Sequence, residues 1–572
     1  MSVMGEFRNE VLNAVKNALP VMSFKGKYDA EVPSSGNADL AVPCFLLAQM
    51  MKKPPAEIAA ALAKNIVPKG MIASVEAVNG YLNFTMDRTV LVNGTINEIL
   101  EKKDNYGRLP SKNMKVNVEH TSTNPTGPIH VGRARNPIIG DTLARCLSGC
   151  GYDVTTEYYV NDVGKQVVIL TWGINNISKD EVEKADREKP DHSLVAFYRL
   201  ANKLMESKPE VSNEISSMLR RFENGDPEVI SSVRRTTEMM LGGLNETLSS
   251  IDVHLDVYTW ESRFIENGSA KRTVEELKRS KYAGKEDDGA WYLDLEEFGV
   301  HGTNKKFTFT RSDGTTLYTT RDIAYHRDKL SKYDRVIGVL GEDQKLGSKQ
   351  LICALQILDE KKLPEPMFYS FVSLPEGKMS TRKGVVVYLD DLVDESVEYA
   401  YNEIKKRRTD LSEEKMREIA RIVGVGAIRF NIVRIQPEKQ FVFKWSEALN
   451  FDGNSGPFLQ YSHARACSIL RKAGNFKRTA DASKLTDEYE LKLIKALSKF
   501  ETVINAAGEE RKVHLVPAYG HEVASAFNQF YAAVPVLNSG DAKDARLTLV
   551  ECTKTVLKNI SWYLGIGAPE EM

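Results

Sequence analysis

Cysteine is scarce in this chain of 572 residues: six positions (Cys44, Cys146, Cys150, Cys353, Cys467, Cys552) and no CxxC pair. That is too few for a disulfide scaffold of this length. Cys146 and Cys150 could hold zinc only with two further ligands, so buried reduced thiols are expected, with no protein-bound zinc or other metal. Long apolar runs are missing too. No stretch reaches eighteen consecutive apolar residues, and the opening MSVMGEFRNEVLNAVKNALP sets charges inside a helical pattern. This argues against a membrane span and a signal peptide, and makes the cytoplasm the expected location. Net charge is almost nil, 77 Lys+Arg against 78 Asp+Glu, so the whole-chain balance names no polyanionic partner. Repeats and low-complexity tails are absent.

What remains has the composition of a folded protein, 42% hydrophobic and 27% charged with a mean hydropathy of -0.34, and enough length for several cores. Helical patterns at 6–19 and 55–65 and a strand alternation, VNGYLNFTM, at 78–86 mark an N-terminal α/β module over 1–108, ended by a charged linker at 101–113. A body over 109–400 opens with the strand KVNVEH (115–120), a Pro/Gly loop, a helix starting near Val131 and a second strand, DVTTEYYV (153–160). This spacing predicts a parallel, Rossmann-like α/β sheet. Charged helices and one strand signal, GAWYLDL, read as an insertion at about 176–300, after which DRVIGVLG (334–341) resumes the alternation. Connecting helices at 401–450 and an all-α helical bundle at 451–572 complete the chain.

The chemistry concentrates in VEHTSTNPTGPIHVGRARNPIIGDTLARCL (118–147). A strand end and a Pro-Gly-Pro turn lead to His130-Val131-Gly132-Arg133 at a helix N-terminus, where free N–H groups and the helix dipole favour a phosphate. Gly132 lets the backbone approach a nucleotide; His130 and Arg133 supply donors. The second element is a glycine-flanked basic loop, GKMSTRKG (377–384), suited to charge developing on pyrophosphate. Either string alone is more simply a solvated turn. Together and in this order they resemble the HIGH and KMSKS signatures of class I aminoacyl-tRNA synthetases. Longer strings narrow the resemblance to the arginyl-tRNA synthetase family: EYYVNDVGKQ (157–166), TTLYTTRDIAY (315–325), GEDQKL (341–346), KMSTRKGVVVYLDDLVDE (378–395), FDGNSGPFLQYSHAR (451–465) and YLGIGAPEEM (563–572), together spread over essentially the whole chain.

The resemblance implies an arginine–tRNA ligase with a split Rossmann domain, which condenses L-arginine with ATP, carried with Mg²⁺, and transfers arginine to the 3′ end of tRNA-Arg. It implies that His130 and Lys378 are catalytic, and that Gly127, His130, Gly132, Arg133, Lys378, Met379 and Ser380 bind ATP. Glu119, Ser122, Asn124, Tyr318, Asp322 and Gln344 form the arginine pocket. Acceptors and a carboxylate are what a guanidinium with five donors requires, and Tyr318 and Asp322, spaced i,i+4, share a helix face. Taken alone, Asp322 reads as a salt-bridge partner of Arg321 or Arg327. Arg133, where HIGH commonly has His, Thr381 in place of the second KMSKS lysine, and Gly347, where many relatives carry His, depart from the pattern.

The end domains imply tRNA contacts, with Tyr81 and Asn83 at the elbow and Tyr461, Trp562 and the C-terminal tail at the anticodon loop. Packing aromatics are the plainer reading of these side chains. Residues 421–480 carry ten Lys/Arg against three acids, a net of +7 hidden by the global sum and an expected RNA face. A monomer is expected. Small nucleotidyltransferases share the HIGH fold but lack the appended domains, and a decayed, non-catalytic tRNA-binding scaffold would have lost some of the site residues.

Overall fold

A computed structural model describes residues 2–19, 29–33, 38–223, 225–373 and 387–572. The N-terminal module has three antiparallel strands, β1 (Leu40–Pro43), β2 (Ile72–Val78) and β3 (Tyr81–Met86), in the order β1-β3-β2. Helices Val3–Ala18 and Pro55–Asn65 lie where the amphipathic spacing puts them. The single strand expected at 78–86 is instead the end of a hairpin. Asn79 (φ 49°) and Gly80 (φ 85°) take the left-handed conformations of a two-residue turn, a signal the reading of one continuous alternation passed over. In β3, Leu82, Phe84 and Met86 are buried, which puts Tyr81 and Asn83 together on the opposite face. The linker expected at 101–113 is anchored to the helical domain: Tyr106 is buried and donates to Leu497 O at 3.0 Å, and Lys112 pairs with Glu509.

The body is built on β4 (Lys115–Glu119), β5 (Asp153–Val160), β6 (Val257–Trp260), β10 (Arg335–Gly341) and β11 (Glu365–Tyr369). All are parallel, in the order β11-β10-β4-β5-β6. The chain runs from β4 outward to β5 and β6, then returns to fill the other side. The C-terminal ends of β4 and β10 therefore flank a topological switch point, where such sheets bind ligands. The stretch expected as one insertion, about 176–300, is interrupted. Helices Pro190–Ser207, Pro209–Glu223 and Pro227–Ser250 leave the sheet, β6 returns to it, and a second excursion forms the antiparallel sheet of β7 (Ala283–Lys285), β8 (Trp291–Asp294) and β9 (Lys306–Thr308).

Helices Gly456–Ala473, Glu488–Ser498, Phe500–Glu509, Leu515–Ala533 and Lys543–Leu564 form the C-terminal bundle. Arg429 clamps it to the body. Fully buried, it donates to Leu564 O at 2.7 Å and Ile251 O at 2.6 Å, and pairs with Asp141 on helix Arg135–Gly149. All six cysteines are buried and unpaired. No described helix is long and apolar enough to cross a membrane.

Candidate active site

β4 ends at Glu119, and the chain then turns through Thr121 (φ 71°) and Ser122 (φ 36°), left-handed conformations that cost free energy in non-glycine residues. Asn136 holds the turn from below. Its Oδ1 accepts from Thr121 N at 2.6 Å while its Nδ2 donates to Val339 O at 3.0 Å, and Tyr158 OH donates to Thr123 O at 2.5 Å. Neither Asn136 nor Tyr158 was singled out from sequence. Their roles depend on partners brought in by the fold.

On the β5 side of this turn, the charges of three acids act on one phenol. Burial and the charges of Glu261, Asp322 and Glu119 push the Tyr159 hydroxyl far above its usual range, and that hydroxyl has no hydrogen-bond partner among the described residues. Each acid has an internal basic partner. Glu119 Oε2 accepts from buried Lys329 at 2.5 Å; burial opposes its charge, but Lys329 and His326 outweigh it and hold the carboxyl below its usual value. Glu261 pairs with buried Arg321 and also accepts from Asn161, in its satisfied amide orientation, at 2.9 Å. Burial, with Asp162 and Asp322 adding repulsion against the pull of Arg321, pushes Glu261 up to about 7. Asp322 sits 3.1 Å from His326 Nδ1. Neither neighbouring arginine takes it: Arg321 is on Glu261, and Arg327 bonds Glu276 and Glu360. Tyr159 stacks on Tyr325 at 4.4 Å, and Lys329 Nζ lies 3.9 Å above the Tyr325 ring.

The other residues expected in the pocket lie on the loop after β4, on helix Tyr318–Lys332 and beyond the end of β10. Ser122 Oγ accepts from Tyr159 N at 3.0 Å and donates toward Glu119 at 3.4 Å, and Asn124 donates to Gln166 at 3.2 Å. Tyr318 is 69% exposed at the first turn of helix Tyr318–Lys332, with Asp322 one turn on. Gln344 is exposed beyond the end of β10. A side chain added at Gly347 would meet nothing within 4 Å, so that departure leaves open space.

Eleven residues after Glu119, His130 caps a short 3₁₀ turn (Val131–Arg133), its Nδ1 accepting from Gly132 N at 3.0 Å. Desolvation on the side of the ring turned into the loop, then Arg133, depresses its pKa although the residue as a whole is exposed, so the neutral ring is favoured near pH 7. His130 and Arg133 are exposed. A Cβ at Gly132 would crowd His130 Nδ1 at 3.0 Å, and one at Gly127 would lie 3.2 Å from Val195. Val131 N donates to Val387 O at 3.0 Å and Leu389 N to Ile129 O at 2.8 Å. Lys378, Met379 and Ser380, with Thr381, lie outside the described residues, between Ser373 and Val387.

Residues 95–445 match the family model described as tRNA synthetases class I (R), catalytic domain. Residues 6–86 match the arginyl tRNA synthetase N terminal domain and 459–572 the DALR anticodon binding domain. The arginine–tRNA ligase of Methanocella arvoryzae is 48% identical over 95% of this chain and 96% of its own, and that of Methanocaldococcus jannaschii 40% over 99% and 100%. The chain belongs to the arginyl-tRNA synthetase family. Among solved structures, the Thermus thermophilus arginyl-tRNA synthetase superposes with a TM-score of 0.84 at 27% identity, covering 99% of this chain and 100% of that one.

Within this arginyl-tRNA synthetase fold, the residues expected at RNA contacts fall into two kinds. Tyr81 packs edge-on against exposed Phe45 at 5.2 Å on the open face of β3, beside Asn83. Tyr461 is 40% exposed, with the Arg465 guanidinium 4.8 Å from its ring and 5.5 Å from that of exposed Tyr531. Trp562, 37% exposed, likewise carries a guanidinium, that of Arg108 at 4.4 Å, where the bundle meets the body. The C-terminal tail is pinned by Gln460 on Gly567 O at 2.9 Å and Arg408 on Met572 O at 2.6 Å. The +7 stretch is less of a free cationic face than its sum implies. Arg429 is buried on Asp141, and Arg434 and Arg478 pair with Glu447 and Glu551.

Proposed function

We propose that the chain acts as an arginine–tRNA ligase on L-arginine, ATP delivered as its Mg²⁺ complex, and tRNA-Arg, working as a monomer in the cytoplasm. The observation that carries this reading is the set of acids Glu119, Glu261 and Asp322, whose charges all act on the unpartnered Tyr159 hydroxyl, with Glu119 at the start of the loop that leads to the His130–Gly132 turn. The acids receive the guanidinium, with Tyr318 along the substrate and Ser122, Asn124 and Gln344 toward its polar end. The carboxylate is thereby directed at the nucleotide. There Gly127 and Gly132 allow close backbone approach, and His130, with Arg133, donates to the phosphates as negative charge develops.

The arginine carboxylate oxygen attacks the α-phosphorus, the α–β bridging P–O bond breaks, and pyrophosphate leaves toward Lys378, Met379 and Ser380. The terminal ribose hydroxyl of the tRNA then attacks the arginyl carbonyl, and AMP departs. Tyr81, Asn83, Tyr461 and Trp562 are the tRNA contacts of this reading. ATP–pyrophosphate exchange, run with and without tRNA-Arg and with arginine or lysine, tests the reading. Arginine- and tRNA-dependent exchange is expected, and exchange with lysine but not arginine would overturn it.

A further inference from the structure

The helix that follows the KMSTR segment, Leu389–Arg407, begins in an unusual grip. Asp390 is buried at its second position. Its carboxylate accepts from Lys189 Nζ at 2.9 and 3.0 Å, lies 2.9 Å from His192 Nε2, and accepts from Thr247 Oγ1 at 3.0 Å. All three partners belong to the helical excursion between residues 177 and 250 of the insertion. Arg187 from the same region bonds Asp391 at 2.7 Å and Asp394 at 2.6 Å, and Arg199 donates to Tyr388 OH at 2.9 Å. The His192 ring also packs edge-on against Tyr388 at 5.1 Å.

Asp191, His192 and Asp390 have the donor set of a cation site. The cation is already present in the chain, because the Lys189 ammonium sits on Asp390 and 3.7 Å from Asp191. Asp191 is fully buried with neither oxygen hydrogen-bonded, and Gly243 leaves the room it needs, since a Cβ there would lie 2.2 Å from Asp191 Oδ1. Burying two carboxylates around one lysine is costly unless the geometry is fixed, and such networks specify position more than they add stability.

What they position is the segment just before Asp390. Tyr388 forms a β-bridge with His130, Val387 O accepts from Val131 N, and Leu389 N donates to Ile129 O. The His130 turn thus rests on backbone whose far side is gripped by the insertion's side chains and the Tyr388 capping box, beside the core packing of Leu389 and Leu392. We propose that Asp390, held by Lys189, His192 and Thr247, is a positioning residue for the phosphate-binding turn, so that the helical insertion sets the geometry of His130 and Gly132 for ATP. This rests on the proposed ligase reading.

The test is steady-state exchange on the full chain, varying ATP and arginine separately, beside thermal melting. Wild-type exchange with arginine checks the ligase reading independently of the variants. Asp390→Asn, which keeps the shape but not the charge, should lower kcat/KM for ATP by about 30-fold, while the arginine KM stays within about twofold. Thr247→Val, which removes one uncharged donor, should lower the same ATP parameter by about fivefold with no change in melting behaviour. Unchanged ATP kinetics in folded Asp390→Asn, or equal losses in the ATP and arginine parameters, would overturn the proposal. If Asp390→Asn does not fold, unchanged ATP kinetics in Thr247→Val would do so.

Discussion

In the proposed arginine pocket every acid has a basic neighbour, Glu119 with Lys329, Glu261 with Arg321 and Asp322 with His326, and the Tyr159 hydroxyl has no hydrogen-bond partner among the described residues. At the proposed phosphate site, eleven residues after Glu119, His130 and Arg133 are exposed and, among the described residues, have no ion-pair partner. The first region is a set of acids each set beside a basic side chain. The second is a set of free donors on a glycine turn, which gains its counter-charge only from a nucleotide. Buried matched charges discriminate between ligands, whereas open donors at a helix start respond to charge that develops during reaction.

Breaking the phosphate end should have the largest effect on turnover. His130→Asn is expected to lower kcat for pyrophosphate exchange by about 10²- to 10³-fold with little change in the arginine KM. A loss confined to the arginine KM would erase the distinction between the two ends. Asp322→Ala should raise the arginine KM by roughly 100-fold, equivalent to about 3 kcal/mol, and leave the ATP KM near wild type. An unaltered arginine response removes Asp322 from the pocket. Tyr159→Phe deletes the unpartnered hydroxyl; if arginine or an ordered water completes it, the arginine KM should rise about fivefold, and if nothing does, binding should be neutral or improved. The smallest effect concerns His130 itself. Arg133 contributes to the depression of its pKa, so Arg133→Ala should move the imidazole titration, followed by NMR, toward higher pH. A midpoint that stays or falls would show that Arg133 does not act on the ring.

Much of the scaffold was legible. β4, β5 and β10 follow from apolar runs bounded by turn residues, and helix Pro55–Asn65 from its N-terminal proline. β6 was not, because a four-residue, half-buried edge strand inside a charged stretch carries little periodic signal. The site divides in the same way. The turn at His130 is a local motif and can be read from neighbouring residues. Lys329 and Glu119 are 210 positions apart and Arg321 and Glu261 are 60, so their pairing is a product of sheet order. Tyr159 stood in a recognised string, yet only the fold brings its hydroxyl under the charges of three acids. The basic stretch at 421–480 shows the converse error: Arg429 counts as a surface cation in the sequence and is 0% exposed in the fold.

The most direct test of the acid cage is calorimetric binding of L-arginine near pH 7 in buffers of different ionisation enthalpy, for wild type and Glu261→Gln. Glu261, raised to about 7, is part-protonated there, and a guanidinium beside it favours the carboxylate. The account therefore predicts proton release on binding, affinity that rises from pH 6 to pH 8, and loss of both in Glu261→Gln. Binding without proton release, at an affinity independent of pH, would contradict it.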